Sequence, residues 1–169
     1  MGGGKIMAER QKSYGKEFER QVFKNLSQVE DVSIDRIPDQ VTRYKGSSSN
    51  ICDFLAYKKP TLLYLECKTV HGNTLPFSNI RDNQWQGLLN KSHIPGVKAG
   101  VIIWFIDHDI TIYAPISLLE YMRQCGEKSI KHNFLGYSWF SDEYNAREIP
   151  GVKKRTMFEY DFSNFFEEI

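Results

Sequence analysis

The chain has 169 residues, 41% hydrophobic and 25% charged, with a net charge of +1. That length suits one domain with a buried core, and the ordinary composition excludes a collagen-like, disordered or disulfide-stapled chain. No apolar run is long enough to span a bilayer, the start Met1-Gly2-Gly3-Gly4-Lys5 lacks the apolar stretch of a signal peptide, and three cysteines without a C-x-x-C pair indicate no zinc knuckle, so a reducing, cytoplasmic setting is expected.

Residues 1–12 read as a disordered N-terminus, and 13–169 as a single domain. From Tyr14 to Val29, Phe18, Val22, Leu26 and Val29 recur at helical spacing and form one apolar face. Val32–Ile37 is a strand candidate ending at Pro38. The polar stretch Thr42–Asn50 reads as a loop. Ile51–Tyr57 and Thr61–Val70 are strands on either side of Lys58-Lys59-Pro60, a hairpin. Asn79–Lys91 is a second helix, with Ile80, Trp85, Leu88 and Leu89 roughly on one face. Ala99–Ile106 is nearly all apolar, as in a central strand covered on both sides. Asp107-His108-Asp109 turns the chain into Ile110–Ala114, and Leu118–Cys125 is a third helix stopped by Gly126. Beyond it the sequence reads as irregular and aromatic-rich, with Trp139-Phe140, Phe162, Phe165 and Phe166 read as core or dimer contacts. This order predicts an α/β fold, a central mixed sheet flanked by helices.

Chemistry concentrates at Asp53 and Glu66-Cys67-Lys68. Side chains two apart on a strand share a face, so Glu66 and Lys68 point one way and Leu63, Leu65 and Cys67 the other. The hairpin returns Asp53 towards Glu66. Two carboxylates are hard oxygen ligands for Mg²⁺ or Mn²⁺, and the backbone carbonyl of Cys67 offers a third oxygen. Such a cation neutralises a phosphodiester and makes water more acidic. Lys68 is placed to steer or deprotonate the attacking water. The spacing alone also fits a surface ion pair on a hairpin.

Several segments, in order, resemble the RecU-type Holliday-junction resolvases of the PD-(D/E)XK nuclease superfamily. Gly15-Lys-Glu-Phe-Glu19 is similar to that family's opening G-x-x-L/F-E, and Asp53 with Glu66-Cys67-Lys68 to its D…E-x-K. Leu75-Pro-Phe-Ser-Asn79-Ile80-Arg-Asp-Asn83-Gln84 is similar to F-P-L-x-N-I-x-x-H-Q, while Lys128-Ser-Ile130 and Leu135-Gly136-Tyr137 are similar to its later K-S-I and L-G-Y. The resemblance implies a restriction-endonuclease-like core. It also implies a homodimeric, metal-dependent endodeoxyribonuclease that resolves four-way DNA junctions in recombination and repair. Asp53 and Glu66 would bind the metal, Lys68 would act on water, Gln84 would line the site and Glu19 would be an accessory acid.

The sequence departs from that pattern in three places. Cys52 replaces a hydroxyl residue, Asn83 replaces the histidine of H-Q, and Pro38–Asn50 is short where the family carries a long basic stalk. Arg43, Tyr44 and Lys45 remain there as candidate DNA contacts, by phosphate pairing and base stacking. The alternatives are another PD-(D/E)XK nuclease acting on duplex or branched DNA, or a non-catalytic DNA-bridging protein. Basic groups at Lys58-Lys59 and Lys153-Lys154-Arg155 allow a local positive surface or ordinary solvated lysines.

Overall fold

Lys5, Met7, Ala8, Glu9 and Arg10 are good helix formers, and the computed structural model carries α1 from Gly3 to Leu26. The structure describes residues 3–38, 50–137, 143–155 and 157–169. The disordered start expected over 1–12 is therefore replaced by helix from Gly3 onwards. Arg43, Tyr44 and Lys45 lie outside the described residues, as do Trp139 and Phe140.

Six strands build the main sheet in the order β1-β2-β3-β5-β6-β8. They are β1 (Ser33–Arg36), β2 (Phe54–Lys58), β3 (Thr61–Val70), β5 (Val97–Phe105), β6 (Ile110–Pro115) and β8 (Arg147–Glu148). All neighbours are antiparallel except β3 and β5, which run parallel with Glu66 opposite Val101 and Lys68 opposite Ile103. The crossover between them carries β4 (Thr74–Pro76) and α2 (Asp82–Ser92). After β6 come α3 (Ile116–Gln124) and β7 (Ser129–Lys131), which pairs with β4. The chain closes with the hairpin β9 (Gly151–Lys153) and β10 (Phe158–Tyr160) and a short α4 (Phe165–Glu168). The expected α/β class, a mixed sheet flanked by helices, is what forms.

Strand alternation splits the interior in two. Leu63, Leu65, Cys67, Ile102 and Trp104 face α1, where Phe18, Val22 and Leu26 are buried. Val101, Ile103 and Phe105 face the other way, towards Trp85 and Leu88 of α2 and Ile116 and Leu119 of α3. β5 is buried along Ala99–Phe105, as a strand covered on both sides must be.

Segments that read as irregular supply β7, β8, β9, β10 and α4. Phe158, Tyr160, Phe162, Phe165 and Phe166 join the α1-side core, which bears out a core role for Phe162, Phe165 and Phe166. A polar pin fixes their place: buried Asn25 on α1 accepts the Tyr160 N–H at 3.0 Å. The acidic C-terminal end is tied down by Lys58 with Glu167 at 2.7 Å and Arg147 with Glu168 at 2.6 Å.

Candidate active site

The hairpin β2–β3 places the expected residues by simple register. The N–H of Asp53 donates to the Leu65 carbonyl at 3.0 Å, while its own carbonyl accepts from Ile37 N–H at 2.8 Å. The Asp53 residue is thus fixed between β1 and β3. Its carboxylate Oδ2 then accepts the Cys67 N–H at 2.8 Å. In a strand the N–H and C=O of one residue leave on the same side. The Cys67 carbonyl therefore lies on the strand edge that meets Asp53, beyond the last β2 pair, Phe54 with Leu65.

Glu66 and Lys68 point to the α2 face. Lys68 Nζ donates to Glu66 Oε1 at 2.7 Å and to Gln84 Oε1 at 3.2 Å. The Gln84 amide nitrogen donates to the same Glu66 Oε1 at 2.6 Å. Gln84 is held for this task by the helix it starts: its Oε1 accepts the Arg81 N–H at 3.2 Å, a reciprocal capping contact at the first turn of α2. Gln84 is 1% exposed and Glu66 2%, so the site is sealed from that side.

Burial pushes the Glu66 carboxyl up to about 7, and the Asp53 charge pushes the same way; Lys68 and Gln84 pull it down. The repulsion shows that the Asp53 charge is felt at Glu66. Glu66 Oε2 is buried without a hydrogen-bond partner among the described residues. A carboxylate oxygen in that state is costly, and a cation would satisfy it. Among the described residues no group of three His, Cys, Asp or Glu side chains forms a metal cluster. The donors expected from the sequence, two carboxylates and a backbone carbonyl, would suit Mg²⁺, an ion that usually keeps several waters.

Glu19 comes from α1, on the opposite face of the sheet, and pairs with Arg36 at 2.5 Å. Its charge still reaches the Cys67 thiol, which burial pushes well up. The Cys52 thiol is likewise driven up to about 12, chiefly by burial, and contacts the Phe54 carbonyl at 3.4 Å. Both thiols are inert spacers around the acids. His71 pairs with Asp107 at 2.8 Å, and His108 stacks on His132 with centroids 3.7 Å apart, away from this set. Lys153 pairs with Asp109, and Lys154 with Glu159 at 3.1 Å, so two bases of the C-terminal cluster are locally compensated.

One contributor was not read from the sequence. Asn83, which stands where the resemblance leads one to expect histidine, donates to the Asn50 carbonyl at 3.0 Å. Its adjacency to Gln84 on a helix starting at the site was the available signal.

The α/β fold brings Glu66, Lys68 and Gln84 into one hydrogen-bonded set, with Asp53 tied to the Cys67 N–H beside it, an arrangement compatible with a nuclease site. Comparison with known families is specific: residues 5–151 match Recombination protein U (RecU), so the chain belongs to the RecU family of junction-resolving nucleases. Among solved structures it is similar to Hjc of Archaeoglobus fulgidus, a Holliday junction resolvase from an archaeal hyperthermophile. Identity is 22%, coverage 69% of this chain and 86% of that one, and the TM-score 0.48. No curated protein matches.

Proposed function

We propose that the junction-resolving activity of this family member is Mg²⁺- or Mn²⁺-dependent, with Asp53, Glu66 and the Cys67 carbonyl holding the cation. When bound, the cation would offset charge on the scissile phosphate and acidify the attacking water. Asp53 is oriented for this by the Cys67 N–H, and Glu66 by Gln84. Lys68 Nζ sits beside Glu66, where it can take a proton from water or donate to a phosphate oxygen. Gln84 fixes Glu66 and Lys68 relative to each other and excludes solvent behind them. Glu19 is an outlying acid that acts through Arg36 and the field at the strand edge.

The single observation that carries this reading is Glu66 itself. Its Oε1 is held by Lys68 and Gln84, its Oε2 has no hydrogen-bond partner among the described residues, and the Asp53 charge bears on it. The working form is proposed as a cytoplasmic homodimer, because a two-fold dimer sets two sites against symmetry-related strands of a four-way junction. No helix among the described residues is long and apolar enough to cross a membrane. Arg43, Tyr44 and Lys45 are proposed as DNA contacts.

The shortness of the Pro38–Asn50 connection favours a second reading, a nuclease of the same superfamily that acts on duplex or flapped DNA. Cleavage of a mobile four-way junction and of linear duplex at matched salt separates the two. Junction preference supports resolution, and equal cleavage supports the second reading. In the same assay Asp53→Asn is expected to abolish cleavage and keep junction binding. Undiminished cleavage would remove Asp53 from the mechanism.

A further inference from the structure

The first turns of α2 touch the site twice, from two sides. Gln84 reaches Glu66 and Lys68 on β3. Asn83, one residue earlier, reaches the chain that leads into Asp53 by donating to the Asn50 carbonyl. Asn50 in turn donates to the Pro38 carbonyl at 2.7 Å, so the residues on either side of the 39–49 connection are tied together where Asn83 holds Asn50.

A second, independent contact lies one helical turn on. A Cβ added at Gly87 would stand 2.4 Å from Ile51 Cγ2 and 2.7 Å from Ile51 Cβ. No side chain fits there, so the helix backbone rides directly on Ile51. Asn83 and Gly87 are four apart and share one face of α2. That face grips Asn50 and Ile51, and Asp53 follows two residues later.

We propose that Asn83 is a positioning residue: with Gly87 it sets the offset between Asp53 and the Glu66–Lys68–Gln84 set, and so governs affinity for the divalent cation. This rests on the cation site proposed above. Mg²⁺ tolerates little error in ligand placement, because it demands near-ideal octahedral geometry at short distances. Loss of a partner that orients a ligand typically costs about 10–100-fold in metal affinity or activity. A purely structural tie would lower the melting temperature and leave cation affinity, measured well below melting, unchanged.

The test is Mn²⁺ binding without DNA, by calorimetry on the full chain, alongside thermal unfolding of each variant. Asn83→Ala is expected to weaken binding about 10–100-fold. Asn83→His, which keeps an N–H donor, is expected to recover most of it. Gly87→Ala is expected to weaken binding through the separate Ile51 contact, and saturating Mn²⁺ to restore the cleavage rate of Asn83→Ala. Should the alanine variant fail to fold, Asn83→Leu removes the donor while keeping a side chain of similar size. If Asp53→Asn loses Mn²⁺ and the folded Asn83 variant lacking the donor binds like wild type, the positioning role is overturned while the cation site stands. If wild type and Asp53→Asn bind Mn²⁺ alike, the cation site fails, and the positioning role fails with it.

Discussion

The two faces of the main sheet do opposite work with the same strand. On the α1 side β3 presents Leu63, Leu65 and Cys67 to a dry aromatic interior, while on the α2 side it presents Glu66 and Lys68 to Gln84. One rule, alternation at period two, produces both. The faces also differ in what completes them. The α2 side is built within residues 5–151, the part that matches the RecU family. The α1 side needs Phe158, Tyr160, Phe162, Phe165 and Phe166, all beyond that match. The proposed chemistry thus lies on the face built within the family match, and stability on the other face is supplied in part by residues outside that match.

The sharpest way to break this division is on the polar face. Lys68→Met should lower the cleavage rate by about 10²–10⁴-fold, the usual worth of a positioned acid or base, measured per folded molecule below melting because the variant also strips buried Glu66 of its ion-pair partner. Single-turnover cleavage beside a melting curve checks it. A rate near wild type would make Lys68 only a partner of Glu66.

On the aromatic face the expectation is reversed. Phe162 is 2% exposed, and Phe162→Ala should cost about 3–5 kcal/mol of stability, read from denaturant unfolding. Activity per folded molecule should hold, because Phe162 lies on the α1 side of the sheet, opposite Glu66, Lys68 and Gln84. Loss of activity in fully folded protein would show the two faces to be coupled.

The buried acid gives a pH signature. Burial, with the Asp53 charge, pushes the Glu66 carboxyl of the folded, metal-free protein up to about 7 from its ordinary 4.5, so its folded pKa is raised. Its contribution is fully present below about 4.5 and is lost as pH rises through 7. Relative to wild type, Glu66→Gln should therefore gain stability between pH 5 and 8, on the order of 3 kcal/mol at most. Melting curves in a chelator test this. A parallel pH response of the two proteins would mean that Glu66 is not held protonated.

The smallest effect concerns the thiols. Cys125 is exposed, whereas Cys52 and Cys67 are buried with pKa values pushed up. Alkylation of the native protein should modify Cys125 alone and leave cleavage intact. Fast modification of Cys67 would show that the strand edge opens.

Much of the site was legible because β3 is long. Ten residues from Thr61 to Val70 give alternation room to declare itself, and the hairpin turn fixes where Asp53 returns. The buried run of β5 was equally plain. The C-terminal part was not, since β8, β9 and β10 are two or three residues each, too short to show a period. Their aromatics become core only because α1 lies across from them. The contact from Asn83 to Asn50 was hidden for a related reason: it joins residues 33 positions apart, through a backbone carbonyl that leaves no mark in sequence.

The most direct measurement is a crystal soaked in Mn²⁺ with anomalous data collected. Density for one ion ligated by both Asp53 and Glu66, with the Cys67 carbonyl beside it and Gln84 adjacent, is the expected result. Two acids that stay too far apart to share an ion, with Mn²⁺ bound elsewhere or not at all, would contradict the account.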